Sequence, residues 1–217
     1  MPQSNLVPAP QLLVAMPTTA GRHVSIFWAI HLRKMPLPAG TAVLARTDYA
    51  VDTNRNALVR AALQIPGVTH LLWWDDDIWP PLDAVPLLLR YGEPLVTGVY
   101  RDKQGRSVLA NFRETDDGLR IDRVEIPGPG QHVRVDMTGL GFCLVDLAVY
   151  RRLDPPWFQY RENLGEDAFF FRRANQELGL RPLATGDVAC RHEQPALLAA
   201  DGTLEPVATA RPVGGRN

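Results

Sequence analysis

Three consecutive carboxylates, Asp75, Asp76 and Asp77, follow the apolar run Leu71, Leu72, Trp73 and Trp74 and precede the prolines Pro80 and Pro81. Adjacent negative charges repel one another, and a carboxylate beside a hydrophobic core needs a partner. Oxygen ligands at the end of a buried strand suit a hard cation such as Mg²⁺, Mn²⁺ or Ca²⁺. A polar turn closing the strand fits the same residues, so the triplet alone leaves both readings open. A second acidic pair, Glu166 and Asp167, follows Gly165 at the start of an expected helix. Asp167 shares a helical stripe with Phe171, Ala174 and Leu178, and it stands at the positive end of the helix dipole, which favours an ionised carboxylate. Neutralising that dipole is the alternative role. Between these acids, Gly139, Leu140 and Gly141 lie in a segment that reads as a strand. Glycines there mark close approach of a ligand, or else a bulge or tight packing.

Such groups are useful only if strands and helices bring them together. Gln11 to Met16 reads as a buried strand that ends in the small-residue loop from Pro17 to Gly21. Val24 to Lys34 reads as a helix, and Thr41 to Ala45 as a strand ending at Arg46, Thr47 and Asp48. Asp52 and Thr53 can cap a helix whose apolar positions Ala57, Leu58, Ala61, Ala62 and Ile65 recur at helical spacing. His70 to Trp74 is the third strand. Alternation of strand and helix predicts an α/β domain with a mostly parallel central sheet, flanked by helices, with a small antiparallel portion. Ligands of such sheets bind beyond the carboxyl ends of the strands, so Thr18, Thr19, Asp48 and the acidic triplet should face one crevice. Further on, a helix capped by Asp83 is expected, then a strand over Pro94 to Tyr100, and a hairpin around Asp116, Asp117 and Gly118. A strand over Val133 to Met137, a short helix over Asp146 to Leu153 and a final strand over Arg181 to Thr185 should follow. Gly179 should stop the helix that Gly165 opens.

The chain of 217 residues is long enough to bury one sizeable core. A formal net charge of −1 leaves no footprint for nucleic acid or an anionic membrane. Any anionic substrate must therefore be held by local groups or by a metal. Cys143 and Cys190 are too few and too far apart for a disulfide framework or a zinc ribbon. No signal-peptide pattern and no apolar run of spanning length is present, so a soluble cytoplasmic protein without a transmembrane segment is expected. The expected organisation is an N-terminal arm over residues 1–10, one domain over 11–195, and a tail over 196–217 rich in glycine, proline and small residues.

Taken in order, the motifs resemble those of the GT-A fold glycosyltransferases, especially the family 2-like nucleotide-sugar transferases. The resemblance rests on the strand-end loop Met16-Pro17-Thr18, on Arg55-Asn56 in the helix before the acidic strand end, and on a D-x-D motif within Asp75 to Asp77. It also rests on the late Gly165-Glu166-Asp167 helix start followed by a strand and His192. Residues 138–153 resemble the family's acceptor-side strand and helix. The resemblance implies a nucleoside-diphosphate sugar donor of UDP or GDP type, a carbohydrate or other hydroxyl acceptor, and Mn²⁺ or Mg²⁺. It implies that Asp77 ligates the metal, with His192 as a second ligand, and that Asp75 meets the ribose or the metal's water shell. Thr18, Asp48 and Arg55 would lie around the nucleotide, with Asp76 beside them. Asp167, paired with Glu166, would be the catalytic base of an inverting transfer. Trp73, Gly139, Leu140 and Gly141 would line the sugar and acceptor. The third acid makes the motif pair ambiguous. Asp75 and Asp77 are preferred because alternate residues of a strand point the same way.

Other classes fit less well. A metal-dependent nucleotidyltransferase needs a glycine-rich loop with an arginine directly after the first strand, which Thr18 to Arg22 matches poorly. A metallohydrolase needs more ligands at metal spacing than the chain offers. A catalytically inactive nucleotide-sugar binding module shares every motif except the need for Asp167.

Overall fold

A computed structural model of the chain describes residues 11–18, 24–47, 49–116, 118–161, 164–193, 196–198 and 204–206. The first half alternates as its periodicity predicts: β1 (Gln11–Pro17), α1 (Ile26–Lys34), β2 (Ala42–Arg46), α2 (Val51–Gln64) and β3 (Val68–Trp74). There follow β4 (Ile78–Trp79), α3 (Ala84–Arg90), β5 (Leu95–Val99), β6 (Ala110–Thr115) and β7 (Gly118–Arg123). The second half comprises β8 (His132–Arg134), β9 (Phe142–Asp146), α4 (Leu147–Arg152), α5 (Glu166–Leu178), β10 (Leu183–Ala189), β11 (Arg191–His192), β12 (Ala196–Leu198) and β13 (Leu204–Pro206).

Seven strands form the central sheet in the order β2-β1-β3-β9-β5-β10-β8. β2, β1, β3, β5 and β10 run one way, and β9 and β8 run against them. Continuous apolar runs such as Leu12 to Met16 occur because helices cover both faces of the sheet. Leu13, Ala15, Leu71, Trp73, Cys143 and Val145 point into one core with Leu58, Tyr150, Phe170 and Phe171 from α2, α4 and α5. Leu12, Val14, Leu72, Trp74, Phe142 and Leu144 point into the other, with Trp28 and Leu88 from α1 and α3. Small antiparallel pairs, β4 with β11, β6 with β7 and β12 with β13, lie outside this sheet.

Three local expectations are corrected. Asp52 does not cap α2: the cap position is Ala50, and the Asp52 carboxylate accepts instead from the next residue's amide, Thr53 N, at 2.8 Å. Gly139 and Gly141 do not lie in a strand, because β9 begins at Phe142 and the glycines form the loop that leads into it. Asp83 precedes α3 without a capping bond from its side chain. Gly179 does end α5, in the left-handed region at φ 67°. The expected arm over 1–10, and most of the expected tail, lie outside the described residues.

Candidate active site at the acidic end of β3

β3 stops at Trp74 because the backbone turns at once. The Ile78 amide donates to the Asp75 carbonyl (3.1 Å), the Trp74 indole donates to the Ile78 carbonyl (2.8 Å), and the Asp75 amide donates to the Gly141 carbonyl (2.9 Å). The three acids therefore sit on a turn, where strand alternation does not apply. Each meets different neighbours. Asp75 faces Arg55 at 3.4 Å. Asp76 is buried and accepts from the Thr18 hydroxyl at 3.0 Å. Asp77 takes Lys103 Nζ at 2.9 Å and His192 Nε2 at 3.3 Å, both on its Oδ2.

Backbone pairing puts His192 there. β11 runs antiparallel to β4 with His192 opposite Ile78, and the Glu193 amide donates to the Asp77 carbonyl at 2.8 Å. The ring's Nδ1 donates to the Arg101 carbonyl at 2.9 Å, which leaves Nε2 turned to Asp77. Burial works against a charged imidazole, but the Asp77 carboxylate and the Arg101 carbonyl outweigh it and raise its pKa. Burial likewise pushes Asp77 up, yet His192 and Lys103 together hold it well below the usual carboxylate range.

On the other side of Asp75 lies a cluster built on α2 and α5. Arg55 is 3% exposed, and its guanidinium stacks 5.0 Å over the Trp73 ring. Its Nε stands 3.5 Å from Glu166 and 3.7 Å from Asp167, while Nη2 reaches Asp75. One cation thus faces three carboxylates, which compete for it. Burial, opposed by Arg55 and helped by the neighbouring acids, pushes Asp75 up to about 6. Asp167 is also raised, first by burial and then by Glu166, so the helix dipole does not prevail. Asp167 Oδ2 accepts the Leu140 amide at 3.2 Å, and its Oδ1 accepts no hydrogen bond.

Trp73 is fully buried, donates to the Tyr150 hydroxyl at 2.8 Å and supports Arg55 from beneath. It cannot line a sugar directly. The Leu140 side chain is also fully buried, and only its amide reaches the site. The glycines at 139 and 141 make room for Tyr100: a Cβ on Gly141 would come within 2.6 Å of its hydroxyl, which accepts the Gly141 amide at 2.8 Å. Tight packing is thus the reason for these glycines. Asp48 lies outside the described residues. Lys103 and Tyr100 are site residues that the motifs did not single out. Their signal was position: both follow β5 at the same sheet end as the acids.

Among the described residues no group of three His, Cys, Asp or Glu side chains is arranged to hold a metal ion. Asp77 and His192 are the residues that could contribute to one. Asp77 offers a carboxylate, and His192 offers Nε2 while its other nitrogen is fixed on a carbonyl, the usual support for a metal-binding imidazole. Mg²⁺ and ions like it are held in this way by one or two protein ligands together with substrate phosphates. No helix among the described residues is long and apolar enough to cross a membrane.

No protein-family model matches the chain, and no curated protein matches it by sequence. Solved structures do match. The crystal structure of A197 from STIV superposes with a TM-score of 0.63 and 20% identity, over 93% of this chain and 97% of its own. GalNAc-T7, solved with UDP, GalNAc and Mn²⁺, gives a TM-score of 0.53 at 8% identity over 86% of this chain. TarS of S. aureus gives 0.52 at 13% identity over 84%. The matches cover 44% of the GalNAc-T7 chain and 36% of the TarS chain. The likeness is one of fold. The chain has a GT-A-like architecture, and glycosyltransferases stand among its structural neighbours.

Proposed function

We propose that the chain is a metal-dependent glycosyltransferase, moving a sugar from a nucleoside-diphosphate donor to an acceptor hydroxyl with inversion. The observation that carries this reading is the meeting, at one end of the sheet, of the Asp77–His192 pair and the Asp167 carboxylate beside Arg55. Asp77 and His192 are the residues that would hold Mn²⁺ or Mg²⁺. When bound, the ion supplies Lewis-acid stabilisation of the departing diphosphate. Thr18, Asp48, Asp75 and Asp76 are assigned to the nucleotide side. Asp167 accepts the proton of the acceptor hydroxyl as that oxygen attacks the anomeric carbon. Its raised proton affinity suits this task, because a base too weak to take the proton gives little help. The Leu140 amide and Arg55 hold the Asp167 carboxylate in place. Glu166 balances Arg55 beside it.

The mechanism also draws support from the GalNAc-T7 neighbour, whose structure contains UDP and Mn²⁺. The test is a panel of UDP and GDP sugars, scored for Mn²⁺-dependent binding and for transfer or slow hydrolysis. Asp77→Asn is expected to weaken Mn²⁺-dependent donor binding at least about tenfold. Asp167→Asn is expected to leave donor binding intact and to lower turnover about 10²- to 10⁴-fold. Two variants that both transfer sugar normally would refute the assignment. The anomeric coupling constant of the product decides inversion.

A further inference from the structure

We propose that Lys103 is a built-in competitor for the cation position at Asp77: its ammonium holds the carboxylate while no divalent ion is present and must leave when one binds. This rests on the reading of Asp77 and His192 as metal ligands. Lys103 Nζ lies 2.9 Å from Asp77 Oδ2, the same oxygen that faces His192 Nε2. The Asp77 side chain is 11% exposed and that of Lys103 31%, so the carboxylate is nearly enclosed while the lysine over it still reaches solvent. A divalent ion on that oxygen and an ammonium within hydrogen-bond distance of it would repel strongly in so enclosed a place. The two cations must therefore exchange.

The hairpin that carries Lys103 is braced for this contact. Arg101 pairs with Ser107 across it. The Asp102 amide donates to the Arg106 carbonyl at 2.8 Å, and the Gly105 amide to the Asp102 carbonyl at 2.9 Å. Asp102 Oδ1 accepts the amides of Gln104 and Arg106, and its Oδ2 takes Arg106 Nε at 2.8 Å. With the backbone so constrained, placing the ammonium on Asp77 costs mainly the freedom of one side chain. The same hairpin orients the second ligand, because the Arg101 carbonyl fixes the His192 ring. One loop thus sets the histidine for a metal and covers the carboxylate against it. The flexible four-carbon stem of lysine lets the ammonium withdraw without moving the hairpin.

The test is a nucleotide-free Mn²⁺ titration followed by the electron paramagnetic resonance signal of the free ion, with circular dichroism confirming that each variant is folded. Lys103→Met is expected to bind Mn²⁺ about three- to tenfold more tightly than the wild type, the gain from removing one partly exposed ion pair that the metal must break. Lys103→Arg keeps the competing charge and should stay close to wild-type affinity. An unchanged or weaker affinity in Lys103→Met overturns the proposal. Wild-type Mn²⁺ affinity in Asp77→Asn removes the metal-ligand reading beneath it. Because no donor is present, failure to transfer sugar bears on the proposed activity and leaves the competition measurable.

Discussion

Arg55 is the shared cation of the site. Its single charge is shared among Asp75, Glu166 and Asp167, all within 3.7 Å of its nitrogens. Burial, which Arg55 offsets only in part, lets Asp75 keep a proton up to about pH 6 in the folded protein, well above the ordinary carboxylate range. The sign of the effect on stability follows from proton binding. Between about pH 4 and 6 the folded state holds a proton that the unfolded chain has already released, so this group's contribution falls as pH rises across that window. Asp75→Asn has no such proton to lose. Urea unfolding in the presence of a chelator should find the wild type gaining about 1–2 kcal/mol relative to Asp75→Asn between pH 7 and pH 4, after allowance for partial exposure. A constant difference across that range would show that Arg55 neutralises Asp75 fully. Trp73 belongs to the same unit, since its buried ring is the floor under the guanidinium.

At the scale of elements, α2 joins two regions through adjacent residues. Arg55 points to the acidic sheet end, and Asn56 points to the segment before α5. Asn56 Oδ1 accepts the amides of Trp157 (2.9 Å) and Phe158 (3.2 Å), while its Nδ2 donates to the carbonyls of Phe158 (2.7 Å) and Asp52 (2.8 Å). Asn56→Ala strands these buried partners and should cost about 2–4 kcal/mol in chemical denaturation. A loss under 1 kcal/mol would mean that water replaces the amide. The pair Arg55-Asn56 was legible in the sequence as a unit near the acids. Its division of labour was not, because neighbouring residues on a helix point about 100° apart and the sequence does not say what each face meets. The two-residue ladder of β4 and β11 was equally hidden, since so short a pairing leaves no periodic pattern, although it is what brings His192 to Asp77. The turn after Trp74 was hidden for a related reason: Asp75 to Asp77 have the same composition whether extended or turned.

At the scale of the whole molecule, the first three strands and two helices could be read almost to their ends, because hydrophobic periodicity and the punctuation of Pro66 and Gly67 are local signals. Strand order is not local. Nothing in the residues of β9 announces that it lies between β3 and β5, antiparallel to both. That placement has a consequence during synthesis. A nascent chain carries Leu71 to Trp74 out of the ribosome long before Phe142 to Asp146 can follow. Until then β3 is an edge, with one side on β1 and the other offering unpaired backbone groups among large apolar side chains. A fragment ending at Glu125 should therefore sediment as aggregate where the full chain stays in solution, and a soluble monomeric fragment would show that another segment shields the edge. The strand that leads to the chemistry is also the one that the growing polypeptide must keep from its neighbours the longest.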